Sequence, residues 1–374
     1  MYLTLFMKKI TFFLLLVLML GCTAKSTYTS SVSSNSYAQG FEISEATDYI
    51  KVRCLSPWQQ GATLMTYYLV RHDSILTPAD GVRILIPVRR IATTSCTHIG
   101  FLSELGCIES VCGVCNPDIV YDSEIGRMVK EGKISNLGDA MTPNVELIVE
   151  SNPEAVMVST FAQGDKVTEQ LLKLGMPVIY NNEWTESEPL ARAEWIRYVA
   201  AFYDRLPEAD SIFKTVENKY NELKNKAATI DNKRSIMSGN NFRGTWYVPA
   251  GKTYMGALFA DAGARYCYQD DPSAFSIALT VETVISKFSE ADVWVGSSAN
   301  SMDELRLIDE KHTWFKAYKN NEVYNFNRRT TATGGNDFWE SGVVHPERIL
   351  NDLVLVLYKN KADNADFVYT NHLE

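Results

Sequence analysis

Histidine is scarce in this 374-residue chain, with five in all, and His72, His98, His312, His345 and His372 are scattered with no pair at ligand spacing. A bare metal ion therefore has no ligand set in the sequence, and no metal site is expected. Basic blocks are missing too, and the formal charge is −9, which argues against a nucleic-acid partner. The sequence holds no GxSxG, no HExxH, no P-loop and no Rossmann glycine fingerprint, so the enzyme classes that carry those motifs are excluded. Paired glycosidase carboxylates lie far apart in a chain and escape such a scan. Beyond residue 22 there is no second long apolar run, so the remainder of the chain is not expected to span a bilayer. Only one CxxC pair occurs, Cys112 and Cys115, and no second pair or histidine cluster accompanies it. Structural or disulfide roles for Cys54, Cys96, Cys107, Cys112, Cys115 and Cys267 therefore outweigh metal or redox chemistry, and spacing assigns no pairing among them.

What is present begins at the front. Lys8 and Lys9 precede an apolar stretch from Ile10 to Leu20, broken only by Thr11, and Gly21 and Cys22 follow. A basic start, a short apolar core and a small residue before the cut describe an export signal over residues 1–21. Cys22 then stands where bacterial lipoproteins carry their acyl chains. Met7 offers a more usual signal start than Met1, and both starts stay open. Removing Lys8 and Lys9 with the signal takes the charge from −9 to −11. An acidic body has no attraction for anionic lipid, so the acyl chains alone would hold it to a membrane. Residues 22–40, rich in Ser, Thr and Tyr, read as a flexible tether.

The length suggests two domains, and 46% hydrophobic content is ample for packed cores. Residues 41–88 are strand-rich, with Tyr49-Ile-Lys-Val-Arg, Thr66-Tyr-Tyr-Leu-Val and Val82-Arg-Ile-Leu-Ile separated by turn residues. After Pro87, short apolar runs alternate with helical stretches, the texture of an α/β fold with mostly parallel sheets. From Leu190 to Ala228 the pattern is helical, with Pro207 opening a second segment and Ile212, Phe213, Val216 and Tyr220 along one face. Strand and helix alternation then resumes. The chain is expected to divide into an N-terminal lobe at 41–206 with a strand-rich extension at 41–88, a linking helix at 207–229, and a C-terminal lobe at 230–374. A weak internal repeat supports two like lobes: Glu146 lies eight residues before Glu154, and Glu282 eight before Glu290, each ahead of a strand.

Pro143-Asn-Val-Glu-Leu-Ile-Val-Glu-Ser-Asn-Pro-Glu-Ala-Val-Met-Val resembles the segment P-N-x-E-x-I-x-x-x-x-P-D-x-V of the substrate-binding proteins of ABC importers for ferric siderophores, haem and cobalamin. Arg90-Ile-Ala-Thr-Thr-Ser with Gly100-Phe-Leu-Ser-Glu-Leu-Gly is similar to the family's first strand and helix. Leu190-Ala-Arg-Ala-Glu-Trp-Ile-Arg-Tyr resembles a stretch of its lipoprotein members, and Gly335 to Leu353 resembles its C-terminal end. The likeness runs from about Arg89 to Tyr358, and departs in having Glu154 where Asp is usual. It implies two α/β lobes joined by a single long rigid helix, with ligand in the cleft between them and no catalysis. It further implies that Glu146 and Glu282 dock onto arginines of the permease subunits, where charge-assisted hydrogen bonds would fix the orientation. An acid near a helix N-terminus is also favoured without any partner.

Strand C-terminal ends face the cleft in such lobes, and a planar chelate needs aromatic faces and a few polar groups. The candidate ligand contacts are Phe161, Trp184, Trp246, Tyr247, Phe275, Arg328 and Trp339, with Thr94, Tyr121, Arg329 and Arg243 as weaker ones. Trp58 and Trp314 read as packing residues, and His98 as a packed histidine more readily than an iron ligand. Aromatics outnumber arginines, which tilts the ligand toward a corrinoid such as cobalamin, with ferric siderophore or haem next. The expected protein is a monomer, lipid-anchored on the periplasmic side, with a chelatase-like or other exported enzyme on a related scaffold as the alternative.

Overall fold

The computed structural model describes residues 31–33, 35–162, 164–358 and 366–374. The export signal, Cys22 and the first part of the tether lie outside the described residues.

Strands β1 (Ser31–Ser33), β2 (Phe41–Glu45), β3 (Ile50–Leu55), β4 (Thr63–Val70) and β5 (Val82–Leu85) form one sheet in that order, antiparallel except for the parallel β4–β5 pair. Alternate residues of β3 point inward, with Ile50, Val52 and Cys54 buried, the pattern of a sheet with one covered face. The core sheet of the first lobe is all parallel. It runs β12 (Val178–Tyr180), β11 (Ala155–Val158), β6 (Ile91–Thr93), β7 (Val111–Val114) and β8 (Ser135–Asn136), with a small hairpin, β9 (Gly138–Asp139) and β10 (Thr142–Pro143), beside it. The four longer strands are buried along their whole length because helices cover both faces, which explains their unbroken apolar runs. Those helices are α1 (Cys96–Glu104), α2 (Ser123–Lys130), α3 (Val145–Glu150) and α4 (Lys166–Lys173). The strand-rich extension caps the open edge of β12. The Tyr67 hydroxyl donates to the Val178 carbonyl and accepts from the Tyr180 amide, each at 3.0 Å, so edge groups that would otherwise seek a strand are satisfied by a side chain.

Two helices link the sheets, α5 (Pro189–Ala201) and α6 (Leu206–Ala228), packed against each other. The 23 residues of α6 span about 35 Å at 1.5 Å per residue. Its buried stripe of Ala209, Phe213, Val216 and Tyr220 matches the helical period read from the sequence.

In the second lobe, β13 (Ser235–Ser238) lies between β16 (Arg265–Tyr266) and β18 (Val293–Val295), all parallel. A separate antiparallel sheet holds β14 (Asn241–Phe242), β15 (Thr245–Val248) and β17 (Ile277–Leu279). Helices α7 (Tyr254–Asp261), α8 (Val281–Phe288), α9 (Met302–Ile308) and α10 (Lys316–Lys319) surround them, and β19 (Tyr324–Asn325) pairs with β20 (Asn371–His372) near the C-terminus. The chain then crosses back. Helix α11 (Ser341–Val344) packs on α1 of the first lobe before α12 (Pro346–Tyr358) lies along α6 and α7. Glycine permits this crossing: a Cβ on Gly100 would overlap the Glu340 carbonyl, and one on Gly335 would stand 2.6 Å from the Val120 carbonyl oxygen.

The tether expected at 22–40 needs correction from residue 31 onward. Strand β1 pairs with β2, and the buried Glu194 carboxylate of α5 accepts from the amides of Ser36, Tyr37 and Ala38, each at 2.8 Å. Glu186 accepts from the amides of Gln39 and Gly40 at 2.9 Å. The serine-rich composition concealed this because the contacts use backbone groups, which any residue type supplies. All six cysteines in the described residues are free thiols. Cys112 sits in β7 with its Sγ 3.3 Å from the Ile91 carbonyl, a strand-packing role.

Candidate functional site

The chain reverses after each parallel strand at the same end of the first lobe. Phe161 follows β11, and Trp184 sits in the 3-10 turn Glu183–Thr185 after β12. Their rings meet at 5.3 Å between centroids. From the other side come Phe275, ahead of β17, and Trp339, in the 3-10 turn Asp337–Trp339. Trp184, Phe275 and Trp339 line one cavity of about 310 Å³ between the lobes, together with Thr185, Ser187, Arg192, Pro249, Thr253 and Tyr254. This volume is at the lower end of small-molecule sites. Exposure of 74% at Phe275 and 50% at Trp339 leaves apolar ring surface in water that a ligand would cover.

The polar groups of the cavity are unusual. Arg192 projects from α5, whose other residues except Arg197 are buried. Its guanidinium lies 4.3 Å from the ring centroid of Tyr254, a cation–π contact between the two lobes. One terminal nitrogen donates to the Trp184 carbonyl at 2.8 Å. The Arg192 Nε, the Trp184 Nε1 and the Tyr254 hydroxyl are buried without a hydrogen-bond partner, although buried donors are nearly always paired. Behind them Glu183 is fully buried; loss of water raises its carboxyl to about 6, against the pull of Arg192 and Thr97. Burial raises Glu340 further, to about 8, although the amides of Tyr121 and Asp122 donate to it at 2.8 Å each. Cys96 opens α1 beside the Trp339 carbonyl, and burial pushes its thiol up to about 12. A thiol this protonated is a weak nucleophile.

Of the residues picked from the sequence, three line the interlobe cavity, Trp184, Phe275 and Trp339, and Phe161 packs on Trp184 from a neighbouring pocket. Trp246 is corrected, being wholly buried. Its ring packs on Trp294, His312 and Phe315 at 5.4 to 5.6 Å, and its Nε1 donates to the Ser238 carbonyl. Strand alternation explains the error, since β15 turns Trp246 inward and Tyr247 outward. Tyr247 is exposed, but neither it nor Arg328 lines the interlobe cavity. Arg329 pairs with Asp337 and lies over Tyr121 at 5.2 Å, and Arg243 lies over Phe242. Thr94 lines a neighbouring pocket with Phe161. His98 is fully buried with its Nε2 3.1 Å from the Ser159 hydroxyl, so it offers nothing to a ligand. Trp58 and Trp314 are both partly exposed at 36% and 53%. Arg192 and Tyr254 went unrecognised. No sequence signal singled out Arg192, because Pro189 to Ala201 also carries Glu194 and Arg197.

Glu146 and Glu282 occupy equivalent places. Each is the second residue of a short helix, behind Val145 or Val281, with Asn144 or Thr280 capping the N-terminus. Both are exposed, and Glu282 lies 3.6 Å from Lys311.

Comparison with known proteins agrees with this layout. An uncharacterized lipoprotein of Methanocaldococcus jannaschii is 27% identical over 288 residues, covering 75% of this chain and 67% of that protein. A periplasmic haem-binding protein of Pseudomonas aeruginosa has a similar structure, with TM-score 0.59 at 12% identity over 77% of this chain and 98% of that one. A periplasmic vitamin B12-binding protein of Vibrio cholerae gives 0.51 at 13% identity, over 71% and 98%. These structural likenesses show the fold. A family model described as periplasmic binding protein matches residues 91–330, well over half the length, and the chain belongs to that family.

Proposed function

We propose that this protein is the lipid-anchored substrate-binding component of an ABC importer, which captures a metal chelate between its lobes and delivers it to the membrane permease. The observation that carries the reading is the interlobe cavity, where Trp184, Phe275 and Trp339 offer ring faces from both lobes around a few polar groups. Aromatic faces suit a planar or macrocyclic chelate, and polar groups fix its orientation. The haem- and vitamin B12-binding proteins of like fold support a ligand of this class. The capped positions of Glu146 and Glu282 support a role in permease docking, since each presents a solvated carboxylate to an incoming guanidinium. The lipoprotein relative supports acylation at Cys22, which would hold the carrier near its permease.

The test is a titration of the protein lacking residues 1–22 with haem, cobalamin and ferric siderophores, followed by tryptophan fluorescence. Trp184 and Trp339 line the cavity, so a bound chelate should quench them at micromolar concentration. No quenching by any of these ligands refutes the chelate reading. Glu146→Ala with Glu282→Ala should leave binding intact and lower uptake, and unchanged uptake removes the docking role.

A further inference from the structure

Resting on the chelate reading above, we infer that the ligand carries a protonated amine arm, received by Glu186 and Trp58 in a second subsite that the strand-rich extension adds beside the interlobe cavity. The extension precedes residues 91–330, which the family model matches. Its strands β3 and β4 are joined by a turn over residues 56–62, and this turn walls a cavity of about 510 Å³, a volume suited to a small molecule. Trp58 and Gln60 line it from the turn and Gln39 from the segment before β2, facing Asn182, Thr185 and Glu186 beyond the end of β12. Thr185 and Glu186 also line the interlobe cavity, so the two spaces adjoin across these residues.

The wall of this subsite is held in place. The Ser56 hydroxyl accepts from the Trp58 and Gln59 amides at 3.3 and 3.2 Å, and the Ser56 amide donates to the Ala62 carbonyl at 2.8 Å. Through Tyr67 the extension is fastened to β12, the strand that leads directly into Asn182 and Glu186. Trp58 remains 36% exposed, and it lines a cavity in place of the packing role expected from the sequence. Its ring surface is free for a ligand to cover.

Glu186 decides the chemistry. The residue is only 8% exposed, and its Oε1 accepts from neutral N–H groups: the amides of Gln39 and Gly40 at 2.9 Å and the Trp195 Nε1 at 3.1 Å. The other oxygen, Oε2, has no hydrogen-bond partner among the described residues and is not sealed from solvent. No Lys or Arg lines the subsite, and Glu186 is its only charged side chain. Arg192, in the adjoining cavity, is turned to the Tyr254 ring and the Trp184 carbonyl. A carboxylate oxygen offers lone pairs alone, so its complement is a hydrogen-bond donor. An ammonium adds charge assistance to that bond, and the face of Trp58 attracts the same cation. An anionic arm would meet a half-engaged carboxylate in a confined space and be repelled.

The experiment uses ferrioxamine B, a ferric trihydroxamate ending in a free ammonium, and its N-acetyl derivative, in which the same chelate ends in a neutral amide. Both are titrated, with haem and cobalamin alongside, into the protein lacking residues 1–22 and into Glu186→Gln and Trp58→Ala, with circular dichroism confirming each fold. The wild type should bind the ammonium form roughly ten- to a hundredfold more tightly than the acetylated one, the effect of one charge-assisted hydrogen bond in a confined site. Glu186→Gln keeps an acceptor for the Gln39 and Gly40 amides and should bring the two forms to within about threefold of each other. Trp58→Ala, a change on an exposed turn, should lower the preference about two- to fivefold. Equal affinity of the two forms for the wild type, or an undiminished preference in Glu186→Gln, overturns the inference and leaves the chelate reading standing. Binding of haem or cobalamin with neither ferrioxamine form does the same. Binding of none of the four overturns both.

Discussion

Replacing Glu340 with Gln should make the protein more resistant to unfolding at pH 8 than at pH 5, relative to wild type. Glu340 is 3% exposed, and lies in the segment that returns from the second lobe to the first. Its two oxygens accept from the Tyr121 and Asp122 amides, yet burial, with Asp122 and Asp337 nearby, raises its carboxyl from 4.5 to about 8. A raised acid favours the protonated native state, so its contribution is full below pH 4.5 and is withdrawn as pH climbs through 8. At ~1.4 kcal/mol for each tenfold change in proton affinity, the whole withdrawal is about 5 kcal/mol, of which about 3 to 4 falls between pH 5 and pH 8. Gln stays neutral throughout. Its amide turns an NH₂ toward one backbone donor, a cost of about 1–3 kcal/mol that does not vary with pH. The quantity to read is therefore the stability of the variant minus that of the wild type, from urea unfolding at each pH, because other titrating groups cancel in the difference. It should rise by about 3 to 4 kcal/mol from pH 5 to pH 8. A difference that stays constant within about 0.5 kcal/mol would refute the reasoning and mean that the amide pair holds Glu340 ionised.

Gly100→Ala places a methyl group against the Glu340 carbonyl and should cost about 1–3 kcal/mol in urea unfolding; an unmoved midpoint would mean that the returning segment shifts freely. Trp246→Ala should lose about 3–5 kcal/mol of stability, because the side chain is wholly buried, whereas Trp339→Ala should alter stability little and weaken chelate binding. The opposite pattern by calorimetry and fluorescence titration would reverse the two assignments. Glu194→Gln removes one of the two oxygens that bind the amides of Ser36, Tyr37 and Ala38. Amide hydrogen exchange at residues 36–38 should accelerate several-fold, with a stability loss of about 1–3 kcal/mol, and unchanged exchange would show that the segment is held from elsewhere.

The sequence by itself determined the class of the fold. Buried parallel strands leave continuous apolar runs, as in Ala155–Val158, and the stripe along Leu206–Ala228 keeps helical period; both are local patterns that need no partner to be read. The run from Pro143 to Val158 carried the family, and aromatics placed after strands pointed to Phe161 and Trp184. What only the tertiary structure decided is which of these residues share a space. Trp246 and Tyr247 are neighbours in sequence and opposite in fate, because a strand turns successive side chains to opposite faces and the sequence does not say which face is covered. The inclusion of residues 36–40 in the fold, where a solvated tether was expected, rests on backbone amides held by Glu194 and Glu186, and amides carry no residue signature. The cavity itself joins Trp184 and Arg192 to Tyr254, Phe275 and Trp339. Those residues are brought together by a chain that crosses between lobes, so their meeting exists only once both lobes have packed.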